Sequence, residues 1–297
     1  MKNFIFILFC SQLISIAAKA QTTDDLLSLV DEKPKKEFTT ATFKTTRNIN
    51  FHTTEVIGKK CLDFRISHRF GDINSGAYNA WGIDGGANIR LALEYSHDAR
   101  FMFGIGRTST GKIIDGFMKY RLLRQTTTNS MPVSVTLLSS MFYTLERTKI
   151  NGDNYYPNPT DRMSYCNEIM VARKFNPYIS FQVLGAMVHY NMVNKISDQN
   201  DCFLVGGVAR IKFTKRQAIT FEYAHRLNNY SNTKYYDSFG IGYEVETGGH
   251  VFQMHLTNSF GLTENQYFMY TGTSWSNMGV RLGFNISRVF ALSRSSD

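Results

Sequence analysis

The stretch GRTSTGKI (106–113) stands one residue short of a phosphate-binding loop. Gly106, Gly111 and Lys112 fill the fixed positions of G-x-x-x-x-G-K-[ST], but Ile113 replaces the hydroxyl that must reach magnesium. Such a loop also needs a helix behind it. Here FMFGIG precedes and IIDGFMKYRLL follows with no helical period, so the glycines read as a tight hairpin. His255 and Ser259 in MHLTNS are spaced like a base and a nucleophile, but no G-x-S-x-G accompanies them. His68, His189 and His225 raise a metal or haem question, yet no two are sequence neighbours and C-x-x-C-H is missing. Neither an enzyme nor a cofactor or metal site is therefore expected.

The segments around these residues share a period of two. In LDFRISHRF (62–70), Leu62, Phe64, Ile66, His68 and Phe70 alternate with Asp63, Arg65, Ser67 and Arg69. ANIRLALEYS, ITFEYAHRL, FGIGYEV and VRLGFNIS alternate in the same way. About twelve strands are expected, near 60–70, 86–96, 100–108, 112–124, 131–144, 162–174, 177–190, 202–214, 217–227, 235–246, 250–260 and 276–290. Their connections alternate between long polar loops, such as GDINSGAYNAWGIDG and ERTKINGDNYYPNPTD, and short turns, such as SHDAR and TGG. That is the pattern of an outer-membrane barrel, and an even count returns both ends to one side. Only GRTSTGKI breaks the alternation. The fold class is all-β, a single transmembrane antiparallel up-and-down barrel.

Residues 1–20 carry Lys2, an apolar run from Phe4 to Ala18 and the A-x-A site Ala18-Lys19-Ala20, which is the form of a signal peptide cleaved near Ala20. The expected division is then 1–20 signal, 21–58 periplasmic segment or lumen plug, 59–290 outer-membrane barrel and 291–297 tail. Formal charge is +9, two of it from Lys2 and Lys19, and no Lys/Arg block exceeds a pair, which argues against nucleic acid. Cys61, Cys166 and Cys202 remain after export, so at most one disulfide closes within the chain.

Parity assigns Leu62, Phe64, Ile66, Leu91, Leu93, Phe221, Ile241, Leu282, Phe284 and Ile286 to lipid. It assigns Asp63, Arg65, Arg69, Arg90, Glu94, Asp115, Lys119, Arg121, Glu168, Arg210, Glu222, Arg226, Glu244 and Arg281 to the lumen. Residues 41–51 have no turn joining them to the first strand, and a thirteenth strand would make the count odd. Insertion is favoured, with Phe43, Lys44 and Arg47 in the lumen and the two cations meeting acids such as Asp63, Glu168 and Glu222. A periplasmic tail that binds a partner is the alternative.

The stretches TATFKTTRNIN, LDFRISHRFGD, DGFMKYRLLRQ and RLGFNISRVF resemble the Bacteroidota outer-membrane β-barrel family catalogued as domain of unknown function 5777. The resemblance runs from about Ala41 to Phe290 and implies an outer-membrane location and one barrel, with no catalytic residues to carry over. If Phe290 is the aromatic insertion signal, ALSRSSD should hang free in the periplasm. About twelve strands leave a narrow or filled interior. Two functions follow: passing or binding a small polar solute through a charged lumen, or a structural barrel in outer-membrane lipid that anchors a periplasmic or surface partner.

Overall fold

The structure, a computed structural model, describes residues 37–147 and 149–292. The expected signal segment and cleavage site, residues 21–36 and the tail from 293 lie outside the described residues. Strand periodicity is realised as a closed barrel of twelve antiparallel strands. They are β1 (Cys61–Asp72), β2 (Asn88–Ser96), β3 (Phe101–Thr108), β4 (Ile113–Leu123) and β5 (Ser134–Thr144), then β8 (Met163–Lys174), β9 (Ile179–Tyr190), β10 (Asp201–Lys212), β11 (Gln217–Arg226), β12 (Ser238–Thr247), β13 (His250–Thr257) and β14 (Arg281–Ala291). Between β5 and β8 the two-residue strands β6 (Lys149–Ile150) and β7 (Asp153–Asn154) form a separate hairpin within a long loop. Each barrel strand pairs with its predecessor, and β1 closes on β14 from Cys61↔Ala291 onward. Closure leaves the barrel no open edge, so each of its twelve strands has a ladder partner on both sides.

The two ends of the barrel differ. At one end the turns are short, and local polar groups complete them. In the turn after β2, Asp98 accepts from the N–H groups of Arg100 and Phe101, both at 2.7 Å, and those bonds hold its carboxyl below the usual carboxylate range. At the other end lie the long loops. The exception is again the β3–β4 connection, a single 3-10 turn over Thr110–Lys112 with Gly111 at φ 70° and Lys112 at φ 45°. Gly106 belongs to β3, not to a phosphate loop: a Cβ there would lie 2.6 Å from the Arg90 guanidinium that crosses the lumen wall.

Burial alternates along the strands as the pleat requires. In β2, Asn88, Arg90, Ala92 and Glu94 are buried while Ile89, Leu91 and Leu93 face outward. His68 stacks on Phe284 on the outer face at 4.9 Å between centroids. His189 and His225, also outward, each contact an aspartate at 2.7 Å, Asp201 and Asp237. His255 and Ser259 are buried inside, and Ser259 Oγ donates to the Gly261 carbonyl at 3.5 Å. Cys61, Cys166 and Cys202 are all free.

Candidate functional site: a lumen filled from both ends

Ahead of β1, the chain enters the barrel from its short-turn end. It is tied there by Thr39 N–H to the Gln125 carbonyl and by Lys174 Nζ to the Thr40 carbonyl, both at 2.9 Å. Inside, residues 46–53 make a small hairpin, closed by Thr53 N–H to Thr46 O at 2.9 Å and Asn48 N–H to Phe51 O at 2.8 Å. Only the isolated bridge Arg47↔His52 gives it sheet character, so it is no thirteenth strand. Its threonines and asparagines favour such local turns, and two strands this short need an external scaffold to hold.

That scaffold is the charged inner wall. Glu222 on β11 accepts from the N–H groups of Ile49 (3.1 Å), Asn50 (2.9 Å) and Phe51 (3.2 Å), and from Asn50 Nδ2 at 2.6 Å. Opposite it, Arg69 donates to Asn50 Oδ1 at 2.7 Å, and Asn285 to the Ile49 carbonyl at 2.9 Å. Lys119 spans the hairpin base, reaching the carbonyls of Thr46 and Thr53 at 3.0 Å. Gln182 clamps the return strand through His52 O at 2.8 Å and Thr54 N–H at 2.9 Å. Arg121 pairs with Glu55 at 2.9 Å. Gly240 and Gly242 leave a recess for Ile49, since a Cβ at either would sit 3.1 Å from its side chain.

From the long-loop end, the connection between β13 and β14 folds inward. Its short helix, Glu264–Met269, buries Glu264, Tyr267, Phe268 and Met269. Helix and hairpin meet in the lumen: Phe51 lies 5.4 Å from Tyr267 and 5.0 Å from Phe268 between centroids. Arg47 Nη1 is 2.9 Å and His52 Nε2 2.8 Å from the same Glu264 oxygen. Hydrogen bonding is incomplete at this seam, as it is at the wall residues Arg65, Arg69, Glu94 and His255. Arg47, His52, Glu264 and Tyr267 all keep buried polar atoms with no protein hydrogen bond among the described residues.

The remaining assigned residues line the same interior. Arg90 pairs bidentately with Asp115 (3.0 and 2.5 Å), and Arg210 Nε and Nη2 both donate to Glu244 Oε1 (2.9 and 2.7 Å). Asp63 accepts from Ser287 at 2.7 Å, with Arg65 at 3.5 Å. Glu94 accepts from Thr46 Oγ1 at 2.6 Å. Glu168 is buried beside Cys166 Sγ at 3.7 Å. Arg226 and Arg281 lie shallower, half-buried near the long loops and paired with Asp237 and Asp72.

Phe43 and Arg47 are buried inside, while Lys44 sits half-exposed at the short-turn mouth. The expected ion pairs are corrected. Lys44 pairs with Glu246 at 2.5 Å, and Arg47 with Glu264, with Glu94 at 3.9 Å, rather than with Asp63, Glu168 or Glu222. The reason is geometric: the turn at 48–51 aims backbone N–H groups at Glu222 and saturates it. Sequence reasoning also passed over Gln182, Gln253, Asn285 and Thr136, uncharged residues at inward parity, and the whole inward loop carrying Glu264.

Two chambers flank the seam. One of about 270 Å³ opens among Lys44, Thr46, Asp63, Glu246 and Ser287 at the short-turn end. The other, about 260 Å³, lies under the long loops among Tyr156, Tyr190, Tyr270, Arg162, Asn265 and Gln266. Continuous ladder closure, an apolar outer face and a lumen packed with paired charge define a membrane β-barrel with a filled interior. A family model described as a membrane bound beta barrel domain, DUF5777, matches residues 43–290, and the chain belongs to that family. The match starts at Phe43 and so takes in the hairpin as well as the strands.

Among solved structures, the chain is similar to the NanC porin, at 8% identity and a TM-score of 0.47 over 78% of this chain and 100% of that one. It is similar to Omp33 of Acinetobacter baumannii at 7% identity and a TM-score of 0.42, covering 78% and 99%. The P. putida toluene transporter TodX gives 8% identity and a TM-score of 0.37, covering 88% and 96%. No curated protein sequence matches the chain.

Proposed function

We propose that the protein sits in the outer membrane, long loops outward, and passes a small polar solute through its narrow charged lumen, which the hairpin and the inward loop hold closed. The observation that carries this reading is the seam between the two chambers. A barrel built only for rigidity would be expected to satisfy its centre, because buried polar atoms left without partners each cost about 1–3 kcal/mol. Here unmet polar atoms of Arg47, His52, Glu264 and Tyr267 lie between hairpin and loop, and others lie along the inner wall at Arg65, Arg69, Glu94, Glu168 and His255. Water or a polar solute satisfies such atoms once hairpin and loop part. The tyrosines of the outer chamber offer ring faces and hydroxyls to a solute on arrival.

The density of wall bonds to the hairpin favours a second reading, a sealed structural barrel that anchors a partner. Efflux from proteoliposomes separates the two. Release of small polar solutes that stops with increasing solute size supports passage. Vesicles as tight as protein-free ones, with correctly folded barrel present, would leave the structural reading.

A further inference from the structure

On the outer wall a polar pair interrupts the apolar rows between β5 and β8. In the wall's central rows the outward residues are apolar, among them Leu91, Leu93, Phe103, Ile105, Met118 and Val205. Ser139 and Asn167 break this pattern, as does His68, whose ring is stacked on Phe284. Ser139 and Asn167 face outward from β5 and β8, stand directly opposite one another in the ladder, and are both exposed. Their inward neighbours Ser140, Cys166 and Glu168 are buried, so the parity of the pair is not in question. Each lies near the middle of its strand, level with the hydrocarbon rather than with either interface. Neither side chain hydrogen-bonds to another described residue. They lie in an outer groove of about 680 Å³ walled by Met118, Leu137, Met187 and Phe203, with Gly185 in its floor.

An amide facing acyl chains has nothing to bond to, and headgroups do not reach this depth. Small residues beside a polar one are the combination that lets two membrane surfaces approach and bond. The amide also limits the choice of occupant. It presents a donor and an acceptor together, and an identical amide turned by a two-fold axis completes both. A two-fold along the membrane normal keeps each residue at its own depth, so the residue on that axis meets its own copy. We propose that this face joins two copies of the protein in the membrane, with Asn167 of each bonded to Asn167 of the other and the flanking groove walls packed around them. The proposal is independent of whether the lumen conducts.

Subunit counting by single-molecule photobleaching in lipid bilayers tests it, with heat-modifiable gel migration reporting that each barrel is folded. Wild type should count as two, and Asn167→Leu should weaken the dimer by roughly tenfold, the scale of hydrogen bonds between membrane-buried surfaces. Asn167→Gln, which keeps the amide, should restore much of the loss. Ser139→Trp keeps Asn167 but fills the groove, so it should also shift counts toward one and gives a second readout if Asn167→Leu fails to assemble. Folded wild type that counts as one at all protein-to-lipid ratios would overturn the proposal, whether lipid or an unrelated protein covers the groove. A dimer indifferent to both Asn167→Leu and Ser139→Trp would also overturn it.

Discussion

Replacing Glu222 with glutamine should release the hairpin while leaving the barrel standing. The carboxylate collects three backbone N–H groups and the Asn50 amide within 3.2 Å, and its own strand ladder does not depend on it. Glutamine keeps one acceptor oxygen and turns an NH2 group toward donors. Hydrogen bonds to a charged group contribute about 1.5–3 kcal/mol each, and a stranded buried donor costs about 1–3 kcal/mol. Losing the charge and stranding one donor should therefore weaken docking by about 3–5 kcal/mol. At 1.4 kcal/mol per decade this is roughly a 100- to 4,000-fold rise in the undocked population. Hydrogen exchange with mass spectrometry on lipid-reconstituted protein reads it directly. Peptides over residues 46–53 should lose protection by that order, while strand peptides from β8 to β10 stay unchanged. Protection over 46–53 identical to wild type would refute the placement of Glu222 as the hairpin's main anchor.

Three further outcomes follow from the same geometry. Leu93→Arg places a charge on the lipid face, where it costs roughly 2–4 kcal/mol at mid-bilayer, so the heat-modifiable folded band should diminish; full assembly would mean the faces are exchanged. Gly242→Val puts a Cβ 3.1 Å from Ile49 and 2.7 Å from Thr220, and overpacking of about 1–3 kcal/mol should displace the hairpin tip and raise ion leak through a barrel of normal gel mobility. Arg47→Ala and Glu264→Ala should each loosen the seam, and their double-mutant cycle, read by hydrogen exchange of the hairpin, should show a coupling of about 0.5–3 kcal/mol. Strict additivity would mean that the 2.9 Å approach carries no energy.

The walls of this protein are legible in its sequence because a strand with one face in lipid must alternate. LDFRISHRF writes both faces in nine letters, and β1 follows them residue for residue. Boundaries at loops were less legible. Residues 276–280 and 235–237 extend strand-like runs but belong to the long-loop end, where Trp275 Nε1–H donates to the Phe239 carbonyl at 3.1 Å. The filling of the lumen was legible only in outline. TFKTTRNINF shows that something basic and aromatic precedes β1, but its hairpin exists only because Glu222, Lys119 and Gln182 converge from three different strands. Convergence of that kind has no local signature. ENQYFM in the last loop reads as surface sequence, although its helix is buried, because its burial depends on a hairpin more than two hundred residues away. Asn167 did carry a signal, a polar residue at lipid parity.

Single-channel conductance in planar bilayers, wild type against a chain lacking residues 22–51, tests the central claim most directly. If the hairpin gates the lumen, wild type opens in rare, brief events that suffice for slow efflux, while the deletion, with normal heat-modifiable migration, shows larger and more persistent conductance. Equal conductance from a properly assembled deletion would contradict the account, because the lumen would then owe its closure to the wall and the inward loop alone.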